Sequence, residues 1–449
     1  MNHGLHGGRQ KMNTSRGLAA SPAVGPKSIV AQVVLGLCLM LIAFNLRPLF
    51  ASLSVLLPEI QRYTGLSSSA AGYLTTLPVL CLGVFAPLAP RLSARVGPER
   101  TLLAMLFILM LGTALRGVGS VPMLFLGSAL GGAAIATGNV LLPSVVKRDF
   151  PQHAGLMTGL FTMALCGGAA VAAATTLPLA ARFGDSWAAG LAAWAIPAGL
   201  VCLIWAPLAL RTKPAAGHAR KSVRGLWQDA LAWQVTFFMG LQSALAYCVL
   251  GWMAPMLRAR GLGGVEAGLV LSVSIMVQVV TCLLVPALAM RFRDQRIVNA
   301  VLGLTAGFAL TGMLIAPIST VWAWAVLQGI GQGGLFAMAM TVIVLRSPDS
   351  VVAAHLSGMA QAVGYVLAAF APLLVGILHS LTGSYDASAW LFAFVALAAA
   401  LSGWGAGRSQ HVQARGESVN AKRQADKTPS GRLTGMLTTL LDSKAVHAS

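Results

Sequence analysis

Apolar residues run almost without interruption from about Ser28 to Gly407, and this run limits the possible folds more than any other feature. Only 10% of the 449 residues are Asp, Glu, Lys or Arg, against about 25% in a typical soluble protein. A water-soluble fold has too little interior to bury so much apolar surface. A membrane helix needs about 20 residues, so the run holds about twelve spans at roughly 30 residues each. The sequence therefore predicts an all-α membrane protein.

A β-barrel also crosses a bilayer, but its strands alternate apolar and polar residues. Thr101–Thr113 and Trp390–Ser402 are continuously apolar, which favours helices. We expect twelve spans, at about 29–57, 68–90, 101–118, 121–143, 154–178, 187–209, 229–256, 265–290, 297–316, 320–345, 355–380 and 388–407.

A polar, basic interruption divides the spans into two sets of six. We expect an N-terminal tail at 1–27, a first half at 28–210, a linker at 211–228, a second half at 229–407 and a C-terminal tail at 408–449. The halves echo each other at an offset of about 200 residues: Arg91 matches Arg291, and Thr158-Gly159 matches Ser357-Gly358. Parallel repeats are typical of transporters whose halves rock around a site at the bilayer midplane.

The net charge of +19 comes mostly from Lys and Arg in alternate loops, on the side of both tails and the linker. Cytoplasmic loops carry such an excess, so we expect both termini inside and a multi-pass location in the inner (plasma) membrane. The charges form no patch with interleaved aromatic residues, which argues against nucleic acid as a partner. The expected partners are the lipid bilayer and a small-molecule substrate, and the expected state is a monomer. Leu433–Leu441 has the spacing of a short amphipathic helix.

Arg47 is the sharpest functional signal, because it interrupts an uncharged run from Ile29 to Pro58. An arginine at such depth costs about 2.5–3.5 kcal/mol on insertion scales, so it normally faces a polar cavity. Its planar fork can hold an anion by two hydrogen bonds. Pro48 has no N–H for the Phe44 carbonyl, which predicts a bend beside Arg47. The alternative is that the span ends earlier and Arg47 snorkels to the membrane surface.

Other polar side chains recur within the predicted spans. Gln361 and Tyr365 are four residues apart and share a helix face, and Tyr247 stands at the repeat equivalent of Arg47. Interhelical hydrogen bonding is the alternative role for each of these side chains. The candidate substrate-binding residues are Arg47, Asn45, Asn139, Gln242, Tyr247, Gln361 and Tyr365, with Gln278, Gln328 and Gln332 as further polar groups at depth.

All 12 acidic residues lie in loops, in tails or at span ends. A site around Arg47 is therefore net positive, which favours an anionic or electron-rich substrate. Proton coupling is left without an evident carrier, since His355 and His379 lie at the ends of predicted span eleven. A histidine at a span end is more often interfacial.

Motifs for catalysis and cofactor binding are absent from the sequence. The 6 cysteines fall inside apolar runs without CxxC spacing, and no Walker, HExxH or GxSxG pattern occurs. We therefore expect no enzyme activity, no metal and no cofactor.

Two segments resemble the cyanate and 2-nitroimidazole transporter family of the major facilitator superfamily. They are Asn45-Leu46-Arg47-Pro48, and Gly138-Asn139-Val140-Leu141-Leu142-Pro143 followed by Lys147-Arg148-Asp149-Phe150-Pro151. Span seven is similar too, in Trp233-Gln234-Val235-Thr236, Gly240-Leu241-Gln242-Ser243 and Tyr247. The resemblance covers about 28–407. It implies the major facilitator fold, alternating access, and a substrate like cyanate or a nitroimidazole.

The loop at 91–100 resembles the gating motif of the superfamily. Its matching residues are Arg91, Arg95, Gly97 and Arg100, whereas Ala94 replaces the usual aspartate and Pro90 a glycine. This departure puts the usual charge locking of the inward gate in doubt. The alternative function is a broad-specificity drug exporter of the same superfamily, whose cavity would show stacked aromatic rings where mostly amides are visible here.

Overall fold

The computed structural model describes residues 29–212 and 221–418. Within these ranges, 12 helical stretches are long and apolar enough to cross a membrane. The all-helical class and the number of spans are thus confirmed. The predicted tail at 1–27, linker residues 213–220 and the predicted helix at Leu433–Leu441 lie outside the described residues.

The helices divide at the linker into an N-terminal half (29–212) and a C-terminal half (221–418). The N-terminal half contains α1 (Ile29–Asn45), α2 (Pro48–Thr64), α3 (Ser68–Phe85), α4 (Leu88–Val96), α5 (Pro98–Leu115), α6 (Val121–Asp149), α7 (Ala154–Arg182), α8 (Trp187–Ala192) and α9 (Ala195–Arg211). The C-terminal half contains α10 (Ala230–Ala259), α11 (Gly264–Ala289), α12 (Arg296–Ile315), α13 (Val321–Leu345), α14 (Ser350–Thr382) and α15 (Asp386–Ala406). Span one consists of α1 and α2, and span six of α8 and α9.

Span one is broken between α1 and α2, which confirms the predicted bend beside Arg47. The Phe44 carbonyl loses its helical donor because Pro48 has no N–H. The α7 backbone approaches this carbonyl closely: a Cβ on Gly168 would lie 1.9 Å from the Phe44 oxygen, so only glycine fits there. Span seven, the repeat partner of span one, stays continuous as α10, since Cys248 rather than proline follows Tyr247.

The predicted end of span one at residue 57 is wrong, because α2 continues to Thr64. Pro58 lies inside the helix and removes only one backbone donor. The helix ends instead at Gly65, which adopts the left-handed conformation with φ 70° and donates its N–H to the Gln61 carbonyl.

Two helix pairs make the largest contacts between the halves: α3 packs against α14, and α7 packs against α11. A Cβ on Gly72 would lie 3.2 Å from the Gly376 Cα, and one on Gly268 would lie 2.4 Å from the Ala173 carbonyl oxygen. Small residues permit this close approach of membrane helices. Because α2 also contacts α10, the broken first span faces span seven at the centre of the molecule.

The carboxylates of the described residues lie near helix ends, in connections or in a short strand, as the sequence predicts. They are Glu59, Glu99, Asp149, Asp185, Asp229, Glu266, Asp294, Asp349, Asp386 and Glu417.

A two-stranded antiparallel ribbon joins the linker to the chain after α15, which the sequence did not predict. Strands β1 (Lys221–Arg224) and β2 (Arg415–Ser418) pair with each other. The backbone N–H of Gln413 donates to Asp229 Oδ2 at 2.6 Å, and that of Val412 to the Arg346 carbonyl at 2.8 Å. These bonds hold the ribbon against the C-terminal half.

Candidate substrate site

Arg47 lies at the break between α1 and α2, near the middle of the 33-residue span Gln32–Thr64. It is half-buried and lines a small cavity with Cys166, Gln278 and Gln332. These three residues come from α7, α11 and α13, so the cavity lies between the two halves. It has room for about one water molecule.

Within residues 29–212 and 221–418, the Arg47 guanidinium has no carboxylate partner and no hydrogen-bond acceptor. Its neighbours are two aromatic rings of the C-terminal half. The Cζ atom lies 6.0 Å from the ring centroid of Tyr247 on α10 and 6.0 Å from that of Phe336 on α13. Ring faces attract a cation by about 0.5–2 kcal/mol but accept no strong hydrogen bond. The N–H donors of Arg47 therefore remain free to bind an anion.

Three rings form an aromatic cluster beside Arg47, namely Phe50, Tyr247 and Tyr365, and the Phe336 ring lies near the guanidinium from α13. The centroids of Phe50 and Tyr247 are 5.2 Å apart, and those of Tyr247 and Tyr365 are 6.1 Å apart with the rings edge to face. Such tilted geometries are favourable for aromatic pairs. The structure thus brings three predicted residues together, namely Arg47, Tyr247 and Tyr365.

Gln242 lies behind the cavity. It is fully buried, and its Nε2 atom donates to Ser243 Oγ at 2.8 Å. Gln332 Nε2 donates to both the backbone and the side-chain oxygen of Gln242, each at 3.2 Å. Among the described atoms, Gln332 Oε1 is buried without a partner. Gln332 thus lines the cavity with a buried amide whose oxygen has no described partner, while Gln242 joins α10 to α13.

The remaining predicted site residues make no described hydrogen bond to Arg47. Asn45 is buried and its Nδ2 donates to the Leu41 carbonyl at 2.8 Å. Asn139 is half-buried on α6 and follows Gly138, whose α-carbon faces the Leu46 side chain. Gln361 is half-buried, with its Nε2 donating to Ser357 Oγ on the same helix at 2.9 Å. Substrate binding by these three residues stays a prediction.

The sequence profile of the Major Facilitator Superfamily matches residues 33–327, well over half of the chain. The chain belongs to the Major Facilitator Superfamily. It is therefore a multi-pass membrane transporter with a two-half helical architecture. The fold agrees with that of the D-xylose-proton symporter, whose crystal structure superposes with a TM-score of 0.66 at 14% identity, over 84% of this chain and 98% of that chain.

Three relatives within the superfamily are similar over most of their length. The uncharacterized transporter YycB of Bacillus subtilis (strain 168) is 40% identical, over 83% of this chain and 92% of YycB. The 2-nitroimidazole transporter of Escherichia coli (strain K12) is 34% identical, over 85% of this chain and 97% of that protein. The cyanate transport protein CynX of the same organism is 31% identical, over 78% of this chain and 91% of CynX. The predicted resemblance to this family is confirmed.

The loop that resembles the superfamily's gating motif forms α4 and the turn into α5. Gly97 has φ 89°, a conformation that favours glycine, and it begins the turn. Arg91, Arg95 and Arg100 are exposed. The buried carboxylate in this region belongs to Glu99, which accepts a bond from Arg148 Nη2 at 2.6 Å and so ties the loop to α6. A gating role for the three arginines stays a prediction.

At the face opposite the ribbon, polar contacts join the two halves of this superfamily member. Arg258 at the end of α10 pairs with Glu59 of α2, with Nη1 and Oε1 2.6 Å apart. His379 of α14 shares a hydrogen bond with Ser68 of α3, between Nδ1 and Oγ at 2.8 Å. His355, by contrast, is exposed and contacts the carbonyl of its own helix at Val351.

Sequence reasoning missed Phe50, Phe336 and Cys166 as neighbours of the site. Phe336 lies four residues after Gln332 and so shares its helix face, which is the one local signal for it. Phe50 and Cys166 carry no such signal, because an apolar residue in an apolar helix looks the same whether it faces lipid, core or cavity.

Proposed function

We propose that this protein is a secondary transporter that moves a small planar anion, or a polar heterocycle of similar size, by alternating access. The best-supported solutes are cyanate-like and 2-nitroimidazole-like molecules. The observation that carries the proposal is the Arg47 guanidinium, which faces a cavity between the halves without a carboxylate or acceptor among the described residues.

The chemistry of the site supports this solute class. A guanidinium offers two parallel N–H donors to a carboxylate-like or nitro-like group, whereas a cationic solute would be repelled. Gln332 lines the cavity and its buried Oε1 has no partner among the described atoms, so this oxygen is the proposed acceptor for an N–H of the solute once the cavity widens. The names of two relatives, the 2-nitroimidazole transporter and the cyanate transport protein CynX, are consistent with such solutes.

The membrane orientation is part of the same proposal. Lys and Arg are concentrated in the connections on the face of the ribbon, so we place this face in the cytoplasm and the protein in the inner membrane. A monomer is the proposed working state. The pair Glu59–Arg258 then lies at the external face and closes the site toward that side.

A broad-specificity drug exporter is the second candidate. The rings beside Arg47 favour it, because Tyr247 and Phe336 lie near the guanidinium and Tyr247 packs with Phe50 and Tyr365, where the sequence alone showed mostly amides. The two functions differ in how far they depend on Arg47. An exporter of varied hydrophobic drugs binds mainly by apolar contact and would tolerate its loss.

The test is uptake of labelled cyanate and labelled 2-nitroimidazole into sealed membrane vesicles. We expect saturable uptake of at least one solute by the wild-type protein, and its loss in Arg47→Ala at equal membrane level. Arg47→Lys keeps the charge without the fork, so partial activity is expected. Arg62→Ala removes an exposed arginine from the same α2 helix and serves as the control.

Equal uptake by the wild type and Arg47→Ala would contradict the binding role. It would favour the alternative in which Arg47 snorkels to the membrane surface. If neither solute enters while dyes or antibiotics are expelled, the drug exporter is correct instead.

A further inference from the structure

Two arginines of the N-terminal half lie within membrane spans, and they differ in what surrounds them. Arg116 is fully buried and its Nη1 atom donates to the Leu49 carbonyl at 3.1 Å. Arg116 and Leu49 both belong to the N-terminal half, so Arg116 keeps this hydrogen bond when the halves move relative to each other. Arg47 lies between the halves and contacts rings of the opposite half. The groups around Arg47 therefore change each time the two halves move relative to each other.

The charge of the central site depends on whether it is loaded. Among the described residues, no carboxylate neutralises Arg47, so the empty site carries one positive charge. A bound monoanion brings the site close to neutral. Charges in a low-dielectric interior are costly unless they are paired, and the faces of Tyr247 and Phe336 compensate only part of this cost.

The small size of the cavity beside Arg47 makes this difference in charge matter. The cavity beside Arg47 has room for about one water molecule, which is too little to hydrate a guanidinium. Any carrier that reorients through such an arrangement must desolvate Arg47. The loaded carrier desolvates an ion pair, whereas the empty carrier desolvates a lone cation.

We infer that the protein is kinetically an exchanger, in which the loaded carrier reorients much faster than the empty one. This inference rests on the proposed function, since it needs a monoanion at Arg47. Exchange of one anion for another uses only loaded carriers in both directions. Net uptake requires the slow return of the empty carrier, which moves the unpaired positive charge.

Phe336 has a specific place in this cycle. Its ring is one of the two groups that compensate the empty guanidinium. Loss of this ring raises the energy of the occluded empty carrier but leaves the ion pair of the loaded carrier in place. Phe336→Leu is therefore expected to slow net uptake more than exchange.

The experiment uses purified protein in liposomes with labelled cyanate or labelled 2-nitroimidazole outside. The lumen contains either the same unlabelled solute or gluconate at equal ionic strength. We expect the initial rate to be at least about tenfold higher with internal solute, which corresponds to a barrier difference of about 1.4 kcal/mol. The ratio is expected to rise further in Phe336→Leu and to stay unchanged in the control Arg62→Gln.

The possible results separate the exchange inference from the proposed function on which it rests. Equal rates with and without internal solute would overturn the exchange inference and leave the proposed function standing. No uptake of either solute in either preparation would overturn the proposed function and the inference with it. If Phe336→Leu slows both modes equally, the ring does not compensate the empty carrier, and that part of the inference fails.

Discussion

Arg258 and Glu59 form an ion pair between the two halves of the protein, with Nη1 and Oε1 2.6 Å apart. The pair joins the ends of α10 and α2, on the opposite face from the ribbon. Its side chains are about one quarter and one fifth exposed, at 25% and 21%. The hydrogen bond between Ser68 and His379 joins α3 and α14 near the same face. For the site to open on this side, both contacts must break.

Glu59→Gln is therefore expected to favour opening at this face. A partly exposed ion pair is worth about 1 kcal/mol or less, so the open population should rise up to about fivefold. The measurement is the rate at which a membrane-impermeant maleimide, added on this face, labels Cys166 at the cavity. Glu266→Gln, in the exposed first turn of α11, should leave the rate unchanged. Equal rates in Glu59→Gln and the wild type would show that the pair does not hold the face closed.

Gly168→Ala is expected to disrupt the packing of α7 against the broken first span. The new Cβ would lie 1.9 Å from the Phe44 carbonyl oxygen, so α7 must move away from Arg47. We expect a lower apparent Tm in detergent and loss of uptake. Gly167→Ala is a matched control, because a Cβ there meets no atom within 4 Å. If both variants behave alike, the close contact is not needed.

Gln242 and Gln332 allow a test that separates binding from packing. Gln242→Leu removes the two side-chain bonds to Ser243 Oγ and from Gln332 Nε2 in a fully buried place, so it should lower stability by about 1 kcal/mol at about 0.6 kcal/mol per bond. The bond from Gln332 to the backbone carbonyl of residue 242 remains. Its effect on KM should be small. Gln332→Leu changes a residue at the cavity and should raise KM as well. A larger KM effect from Gln242→Leu would place that side chain in the site after all.

Arg346 anchors the end of α15 on the face of the ribbon. Its Nε donates to the Ala406 carbonyl at 3.0 Å and its Nη2 to the Gly407 carbonyl at 3.2 Å, and Gln295 Oε1 also accepts from Nη2. Burial lowers the pKa of Arg346, against the influence of Asp294, and these bonds offset the cost of burying the charged form.

Arg346→Met keeps the apolar stem but leaves three buried acceptors without their donor. Bonds from a charged group are worth about 1.5–3 kcal/mol each, so we expect a clear fall in apparent Tm, measured in detergent. Arg408→Met removes a neighbouring exposed arginine and should have little effect. An unchanged Tm in Arg346→Met would mean that water replaces the guanidinium without loss.

The local features of this fold were predictable from the sequence because they depend on neighbouring residues. Long apolar runs locate the spans, and the missing N–H of Pro48 explains the break beside Arg47. The end of span one was not predictable in this way, since α2 continues through Pro58 and the left-handed Gly65 ends it.

Contacts between distant segments were not predictable in this way. Phe336 meets Arg47 across nearly 300 residues of sequence, and Glu59 meets Arg258 across 199. The sequence around Phe336 does not indicate contact with Arg47, and the sequence around Glu59 does not indicate contact with Arg258. The pairing of Tyr247 with Arg47 is the exception, since the internal repeat places both at equivalent positions and the structure brings them to the same centre.

The ribbon of β1 and β2 shortens the free connection between the two halves. Because it fastens Lys221–Arg224 to the C-terminal half, the segment that connects the halves is only the stretch between Thr212 and Lys221. A chain of this length spans at most about 30 Å. The length of this segment sets an upper limit on the separation of the two halves on that side. Separation of β1 from β2 would lengthen the segment and raise this limit.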